Sequence, residues 1–299
     1  MNKRLWCSIL IFLLLAPLGA LAEELLVSDS APKIVSDDEA GHWLYESASL
    51  RVEINRKTMD GPLIWYEADV ITSAESPLHG YLSAETNSHK HLKKPETLAQ
   101  EQRLVFAMTD DFFAARVGKA DKKLGVIIRE GNLLYDKVYP ANTKRFPPLD
   151  AMALFPDGSM GVYAAREHKG EEYLAMGATD VFSFGPVMLR DGEIEPSLVK
   201  NNAHLEPRAT IGWIAPNHFF CIIAEGRHKG SKGCGLDPIA RRMQEVGVVN
   251  AINMDGGQTA VLVFLGRQIN QTGSFDGHVR VRSVNGLIGV RDADWAGVE

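Results

Sequence analysis

Short runs that alternate apolar and polar residues, separated by glycine-containing turns, constrain the fold of this chain more than any other feature. The segment SLRVEINR alternates in this way from Ser49, and PLIWYEADVIT follows a turn at Asp60-Gly61-Pro62. A period of two residues directs one face of a strand towards a core and the other towards solvent. The pattern therefore predicts sheets in which consecutive strands are joined by tight turns.

Three further segments predict hairpins, because each of them sets a glycine between two apolar runs. They are IREGNLL (128–134), FPDGSMGV (155–162) and LRDGEIE (189–195). Together with the alternating runs, they indicate that strands account for most of the regular structure.

Helix candidates are few. One is KKPETLAQEQ (93–102), and the other is LDPIARRMQEVG (236–247), with Asp237 as the cap, Pro238 in the first turn and Gly247 as the terminator. Strands and helices do not alternate regularly along the chain, as they would in a doubly wound sheet. We therefore predict a β-rich single domain of the α+β class, with mixed sheets and few helices.

The first 22 residues have the three parts of a secretory signal peptide. A basic end at Lys3 and Arg4 precedes an apolar stretch over 5–15, and a small-residue cleavage site lies at 20–22. An uncleaved membrane anchor is the alternative. No later segment approaches the roughly 18 apolar residues that a membrane span needs.

This pattern predicts a signal peptide (1–22), a polar extended leader (23–44) and a domain over 45–299 that is exported to the periplasm or the extracellular space. After cleavage we expect no stable association with a membrane. Loss of the two basic residues would change the formal net charge from −6 to −8. An acidic chain without a lysine-rich tract gives no reason to expect nucleic acid as a partner.

Two cysteines remain after the predicted cleavage, Cys221 and Cys234. Export would permit a disulfide between them. The alternative is a buried thiol in a strand and an unrelated thiol in a loop, and the sequence decides neither this question nor the oligomeric state.

Two segments place charged residues where a strand begins or ends. In VFAMTDDFFAAR (105–116) a strand runs into Asp110 and Asp111; adjacent strand residues point to opposite faces, so only one carboxylate is expected to face a cleft. In EPRATIG (206–212), Arg208 offers a planar set of donors that suits phosphate or carboxylate oxygens. Solvated acids and a surface ion pair are the alternatives.

Two further segments join a strand to a glycine-rich loop. FFCIIAEGRHKGSKGCG (219–235) carries Glu225 at the strand end and then a basic loop before a helix start, an arrangement that suits an anion. NAINMDGGQTAVLVFLG (250–266) ends a strand at Asp255, and Gly256-Gly257 permit a close approach or a positive φ. A solvated basic loop and a plain hairpin turn are the alternatives.

The order of these segments, with the IREGNLLY hairpin and FSFGPVMLRDG between them, resembles the phosphodiester glycosidase family over roughly residues 45–291. The resemblance implies a secreted or lumenal α+β enzyme that hydrolyses a sugar from a sugar phosphodiester. The family's motif positions fall on Asp111, Phe184, Gly185, Pro186, Arg208, Glu225, Arg227, Ser231, Gly233, Asp255, Gly256 and Gly257.

The chain departs from the family pattern at three places. Thr109-Asp110-Asp111 replaces Asn-Gly-Asp, Glu225 replaces an aspartate, and Gln258-Thr259-Ala260 (258–260) replaces a glycine and two serines. Loss of the serine hydroxyls could change the sugar preference or weaken the activity.

The implied reaction needs cations for the phosphate and a carboxylate near the anomeric carbon. We predict Asp255 as that carboxylate, with the following glycines letting the sugar ring lie against the backbone, and Glu225 and Asp111 as the further catalytic candidates. The predicted substrate- and phosphate-binding residues are Arg208, Arg227, Lys229, Ser231, Gly233, Gly256, Gly257, Gln258, Thr259, Phe184 and Gly185.

No cofactor is implied with certainty. Asp111 could help to hold a divalent cation, because carboxylates from separate strands suit Ca²⁺, but no ligand spacing establishes a metal site. The histidines do not form HExxH, so a zinc hydrolase is not predicted.

The expected partner is a phosphorylated carbohydrate. Two other interpretations of the function of the predicted site stay open. One is a non-catalytic module that binds phosphorylated glycan, which the changes at 258–260 keep open. The other is a metal-dependent phosphodiesterase that breaks the P–O bond. A serine hydrolase is not predicted, because the chain has no G-x-S-x-G elbow.

Overall fold

The computed structural model describes residues 31–84, 91–111, 125–137, 149–198, 204–275 and 278–293. The helices are α1 (Pro95–Glu101), α2 (Gly170–Ala175) and α3 (Leu236–Glu245). The strands are β1 (Lys33–Asp37), β2 (His42–Glu46), β3 (Arg51–Met59), β4 (Leu63–Ile71), β5 (Leu78–Leu82), β6 (Phe106–Thr109), β7 (Gly125–Arg129), β8 (Asn132–Lys137), β9 (Asp150–Leu154), β10 (Met160–Tyr163), β11 (Asp180–Phe184), β12 (Val187–Arg190), β13 (Glu193–Ile194), β14 (Arg208–Ala215), β15 (His218–Ala224), β16 (Asn250–Met254), β17 (Leu262–Phe264), β18 (Arg267–Gln268), β19 (Ser274–Phe275), β20 (His278–Val279) and β21 (Gly286–Val290).

Most of these strands belong to three sheets. The largest has nine strands in the order β1-β2-β3-β4-β15-β14-β16-β12-β13, and two five-stranded sheets have the orders β10-β9-β11-β7-β8 and β18-β17-β6-β21-β5. The β-rich α+β prediction is confirmed. The sheets were expected to be mixed, but every strand pair in the described residues is antiparallel. Tight hairpins join many neighbours, such as β3 and β4, and a hairpin can pair its strands only in this way.

Part of the predicted leader belongs to the largest sheet. Strand β1 pairs with β2 from Lys33↔Glu46 to Asp37↔His42, and β2 pairs in turn with β3. The main-chain hydrogen bonds of these pairs make β1 the edge strand of the sheet, and Trp43 and Leu44 of β2 are buried. The predicted signal peptide lies outside the described residues.

One hydrophobic core lies between the three sheets. The largest sheet contributes Ile54 and Val70, the second sheet Phe182, and the third sheet Phe106 and Ile288, all of them fully buried. At roughly 1.5–3 kcal/mol for each large apolar side chain withdrawn from water, such a core fixes the three sheets against one another.

The helices cover the outer faces of the same sheets. Helix α3 packs Ile239 and Met243 against Phe220 and Ile222, whereas Cys221 between them faces the central core, as strand alternation predicts. Helix α1 covers the third sheet and α2 the second. Among the residues that the structure describes, no helix is long and apolar enough to cross a membrane.

Both predicted helices and the three predicted hairpins are present. The expected cap of α3 is wrong: its N-cap is Gly235, and Asp237 lies inside the first turn, where its carboxylate accepts hydrogen bonds from Arg241 at 2.9 and 3.1 Å. An arginine one turn along the helix competes successfully for this carboxylate. Gly247 has a φ of +88° just beyond the helix and ends it as predicted.

The cysteines are not joined. Cys221 and Cys234 are both free and buried. Burial raises the pKa of the Cys234 thiol to about 12, and it raises that of Cys221 as well. A thiol that stays protonated is a poor nucleophile, so neither cysteine is a candidate nucleophile.

Candidate active site

The predicted site segments meet at one end of the largest sheet. Arg208, the first residue of β14, lies opposite Ala224, the last residue of β15. Ala209 lies opposite Met254, the last residue of β16. Because β14 runs antiparallel to both neighbours, the loops that begin at Glu225 and at 255 emerge beside the entrance to β14.

Two other sheets contribute to the same end. The backbone N–H of Asp255 donates to the carbonyl of Asp110, just beyond β6, at 3.2 Å. The Asn253 side-chain amide donates to the Gly185 carbonyl at 2.8 Å, and the Gly185 N–H donates to the Asn253 carbonyl at 3.0 Å. These bonds bring the predicted segments at 109–111 and 184–186 against the end of β16.

Residues 255–257 are not the turn of a hairpin. Strand β16 belongs to the nine-stranded sheet, and β17 belongs to a five-stranded sheet, so the chain changes sheets here through a short 3-10 turn at Gly257–Thr259. This change of direction places the half-buried Asp255 where the sheets meet.

Glu225 is buried, and each of its carboxylate oxygens has at least one hydrogen-bond partner. Only 4% of the residue is exposed. One carboxylate oxygen accepts hydrogen bonds from the Tyr66 hydroxyl at 3.1 Å and from the Gln271 backbone N–H at 2.7 Å, and the other lies 3.1 Å from His228 Nε2. Burial, reinforced by the Glu225 charge, raises the pKa of Tyr66, so that its hydroxyl stays a donor.

The basic loop after Glu225 fixes the orientation of His228. The Gly230 N–H donates to Nδ1 at 3.2 Å, so in the neutral imidazole Nε2 carries the proton and donates to Glu225. The buried hydroxyl of Ser231 donates to the Glu225 carbonyl at 2.8 Å and accepts from the Ile64 N–H at 3.1 Å. Ser231 therefore shapes the loop through main-chain contacts.

An open cleft of about 630 Å³ lies over this carboxylate. Lys229 is exposed on its rim. Its polar lining includes Arg56, Tyr66, Glu225, His228, Lys229 and Gln271. The cleft thus combines a buried carboxylate with cationic side chains, which is the charge pattern expected for an anionic ligand.

Arg227 joins the two glycine loops. Its Nε and Nη2 both lie 2.6 Å from one carboxylate oxygen of Glu206, and its φ is +59°. The Ser274 hydroxyl donates to the Arg227 carbonyl. A Cβ added at Gly257 would lie 3.1 Å from Arg227 Nη1, so the guanidinium rests directly over that glycine.

The neighbouring glycines are required by backbone packing. A Cβ at Gly256 would lie 2.6 Å from the Pro207 carbonyl oxygen, and one at Gly233 would lie 2.5 Å from the backbone of Glu206. The sequence predicts that residues 256 and 257 have no side chain so that a sugar can approach the backbone. The structure supplies a different reason, which is contact with the protein itself.

Arg208 ties the entrance of β14 to the start of α3. Its Nε donates to the Cys234 carbonyl at 3.2 Å, and Nη2 donates to the His204 carbonyl at 3.0 Å. Burial lowers the pKa of Arg208. Two of its nitrogens therefore hold the loop, and the third is the one left for a ligand.

Asp110 and Asp111 do not point to opposite sides. Both contact Arg129, with Asp110 Oδ2 at 3.4 Å from Nη2 and Asp111 Oδ2 closer still. Asp111, which is 2% exposed, also accepts from the Ser183 N–H at 2.6 Å. The prediction is wrong because β6 ends at Thr109, so strand alternation no longer applies to these two residues.

The side chains of Gln258 and Thr259 make hydrogen bonds within the protein. The Thr259 hydroxyl donates to the Gly256 carbonyl at 2.6 Å. Gln258 donates to the Arg280 carbonyl at 3.2 Å and accepts from Arg282 at 3.1 Å. These contacts explain why the two side chains are buried.

The FSFGP segment connects two sheets. Phe184, the last residue of β11, is half-buried and packs against the central core. Gly185 has a φ of +101°, packs against Asp150 and precedes a cis bond to Pro186.

Several side chains of the site are not signalled by the sequence. Tyr66 lies in the middle of an ordinary strand, and Gln271 contacts Glu225 through its backbone N–H. Glu206 could have been noticed as a charged residue beside Pro207, but nothing in the sequence pairs it with Arg227 or pairs Arg129 with Asp111. Within the described ranges, no group of three or more His, Cys, Asp or Glu side chains could hold a metal ion.

A comparison with protein families decides the assignment. The family model described as phosphodiester glycosidase matches residues 102–291. The chain belongs to the phosphodiester glycosidase family. This membership confirms the family resemblance found in the sequence.

Individual relatives are distant. The SPbeta prophage-derived uncharacterized protein YomE of Bacillus subtilis (strain 168) is 28% identical over 150 residues, which are 49% of this chain and 23% of that protein. The matched part thus spans less than a quarter of that relative.

Two solved structures share the fold. The zebrafish N-acetylglucosamine-1-phosphodiester alpha-N-acetylglucosaminidase catalytic domain, auto-inhibited by its pro-peptide, has a TM-score of 0.63 at 16% identity, covering 91% of this chain and 92% of that one. A putative exported protein from Burkholderia pseudomallei K96243 has a TM-score of 0.54 at 10% identity, covering 77% and 74%.

Proposed function

We propose that this protein is an exported hydrolase that cleaves a sugar from a sugar-1-phosphodiester. One observation carries the proposal in addition to the family membership. The Arg227 guanidinium, held by Glu206, lies over Gly257, two residues beyond Asp255. A cation for the phosphate therefore lies over a residue that is two positions beyond the carboxylate for the sugar.

The chemistry fits these two charges. Cleavage breaks the bond between the anomeric carbon and the phosphate oxygen, the bonding electrons stay on that oxygen, and water adds to the carbon and loses a proton. The leaving phosphomonoester is far more acidic than a sugar hydroxyl, so protonation matters less than in ordinary glycosidases. Fixed cations that meet the developing charge are the larger requirement.

Asp255 takes the role of the carboxylate nearest the anomeric carbon, where it assists water or the positively charged centre. Arg208 and Arg227 hold the phosphate with those guanidinium N–H groups that do not bond to other parts of the protein. Lys229, exposed on the rim of the neighbouring cleft, adds a further cation.

Glu225 acts as an acceptor for the hydroxyl groups of the sugar. Its hydrogen bonds from Tyr66, Gln271 and His228 hold the carboxylate in one orientation at the wall of the cleft. Asp111 has a positioning role in this proposal, because its oxygens are used by Arg129 and Ser183.

N-acetylglucosamine is the first sugar to test, since the zebrafish enzyme that shares the fold is named for it. The substrate would come from envelope or extracellular polysaccharide, in keeping with the predicted signal peptide.

The test uses residues 23–299 with a panel of α-N-acetylglucosaminyl phosphodiesters in water enriched in ¹⁸O. Free sugar and phosphomonoester should appear in equal amounts, with the label in the sugar, and turnover should persist in a chelator. Label in the phosphate would mean P–O cleavage and would overturn the proposal. Binding without turnover would identify a phosphoglycan-binding module instead.

A further inference from the structure

A second basic cleft lies beside the proposed site. It has a volume of about 610 Å³, and Lys94, Arg280 and Arg282 line it together with His278. No aspartate or glutamate is among the described residues that line it. In a chain with a formal net charge of −6, this local excess of positive charge needs an explanation.

The cationic segment is held from two sides. Gln258, which is 8% exposed, donates to the Arg280 carbonyl at 3.2 Å and accepts from Arg282 Nη2 at 3.1 Å. From the start of α1, the Lys94 ammonium donates to the Val281 carbonyl. These bonds fix the backbone at 280–282.

Arg280 has a free head group. Its side chain is exposed, and in the described part of the chain its guanidinium makes no hydrogen bond or ion pair. A guanidinium offers five N–H donors in a geometry that matches phosphate oxygens. The backbone of Arg280 is anchored, while the N–H donors of its side chain stay available.

The cleft is close to the proposed reaction centre. Gln258 lies three residues beyond Asp255, a separation of at most about 11 Å for any chain conformation. Gly257, under the Arg227 guanidinium, lies between them. Cationic groups thus continue from the phosphate-binding loop into the second cleft.

We propose that this cleft binds a second phosphate of the substrate, so that the preferred substrate is a glycan polymer whose sugars are joined by repeated phosphodiesters. The inference rests on the proposed function. A single phosphodiester carries one negative charge, which Arg208 and Arg227 already match. The exposed guanidinium of Arg280 gains an anionic partner when the ligand carries a further phosphate near the first, and Lys94 and Arg282 add positive charge to the same cleft.

The test compares two synthetic probes, an N-acetylglucosamine phosphodiester with one phosphate and an oligomer of the same units with two. Binding is measured by fluorescence anisotropy, and turnover by sugar release, for wild type, Arg280→Gln and Arg280→Gln/Arg282→Gln. A Lys33→Gln/Arg241→Gln variant removes two exposed cations outside both clefts and serves as the matched control.

For the two-phosphate probe, we expect the dissociation constant and KM to rise about tenfold in the double variant and severalfold in Arg280→Gln. For the one-phosphate probe, both constants should stay within twofold, and the control should match wild type with both probes. Wild-type affinity for the longer probe should also fall more steeply with salt.

Equal affinity of wild type for the two probes, or an unchanged affinity of the variants for the longer one, would overturn the inference. So would equally tight, Arg280-dependent binding of single-stranded DNA of matched charge, since that would indicate a general polyanion surface. Binding is read independently of turnover, so an inactive protein that shows the predicted affinities would refute the proposed function alone. Arg280→Gln removes no anchoring contact and keeps the test informative if the double variant unfolds.

Discussion

At the scale of single residues, Asp111 and Asp255 differ although both follow a strand end. Asp111 is buried, and it is held by a guanidinium and a backbone N–H. Asp255 is half-buried, and its carboxylate accepts from the next backbone N–H, that of Gly256, at 3.1 Å. The buried environment suits a structural charge, and the partial exposure of Asp255 suits a group that meets a ligand.

This difference predicts the effect of Asp111→Asn. The change weakens a buried ion pair with Arg129 and should lower the free energy of unfolding by roughly 3–5 kcal/mol, measured by urea denaturation. Asp60→Asn, an exposed acid in a turn, should change it by less than about 0.5 kcal/mol. A stable but inactive Asp111→Asn protein would restore Asp111 to the catalytic group.

Gly256 offers a second test at this scale. In Gly256→Ala the added methyl would meet the Pro207 carbonyl oxygen at 2.6 Å, so the loop must shift. We expect a loss of about 1–3 kcal/mol in the free energy of unfolding, together with a loss of turnover. Gly230→Ala meets its neighbour at an ordinary 3.4 Å and should be close to neutral. Equal stability of the two variants would show that packing does not require the glycine.

At the scale of elements, strands and hairpins were predictable because their signals are local. Alternation and turn glycines correctly indicated β3, β4 and the hairpin of β7 and β8. The path of the chain after β16 was not predictable, because Asp-Gly-Gly fits a hairpin as well as a change of sheet. Only the pairing of β17 with β6, about 150 residues earlier in the chain, distinguishes a change of sheet from a hairpin.

The same limit applies to the site. Loop residues such as Arg227 could be singled out from glycine spacing and family resemblance. The partners that orient them, Glu206 and Tyr66, come from distant segments and have no local signature. The sequence therefore indicated which segments carry the site, whereas the structure assigns the structural contacts within it.

A link between two sheets gives a prediction on pH. His79 of β5 lies 3.0 Å from the buried carboxylate of Asp180 in β11, which also accepts from the Gly80 N–H at 3.1 Å. This hydrogen bond raises the pKa of His79 above its ordinary value of 6.5, although burial opposes the shift.

The stabilisation from protonated His79 is therefore complete below pH 6.5 and is lost as the pH rises through the raised pKa. Urea unfolding across this range should show a fall in the free energy of unfolding for wild type that is absent in His79→Gln. The same slope in both proteins would assign the pH dependence to other groups.

At the scale of the whole molecule, we propose that the domain acts outside the cytoplasm. Full-length protein produced in a bacterial host should be recovered from the exported fraction with Glu23 as its first residue, determined by N-terminal sequencing. A Leu10→Arg/Leu14→Arg variant places charges in the apolar stretch and should remain uncleaved. An intact amino terminus in the exported wild-type protein would indicate an anchor instead.

We propose that three sheets meet so that one carboxylate, Asp255, and the cations beside it act on a sugar phosphodiester. The most direct measurement is release of sugar and phosphomonoester from an α-N-acetylglucosaminyl phosphodiester by wild type, Asp255→Asn and Asp60→Asn, each checked for folding by thermal melting. We predict equal turnover in wild type and Asp60→Asn, and a loss of at least about a hundredfold in kcat for folded Asp255→Asn that still binds the ester. Undiminished turnover in Asp255→Asn would show that Asp255 is not the catalytic carboxylate and would move that role to Glu225.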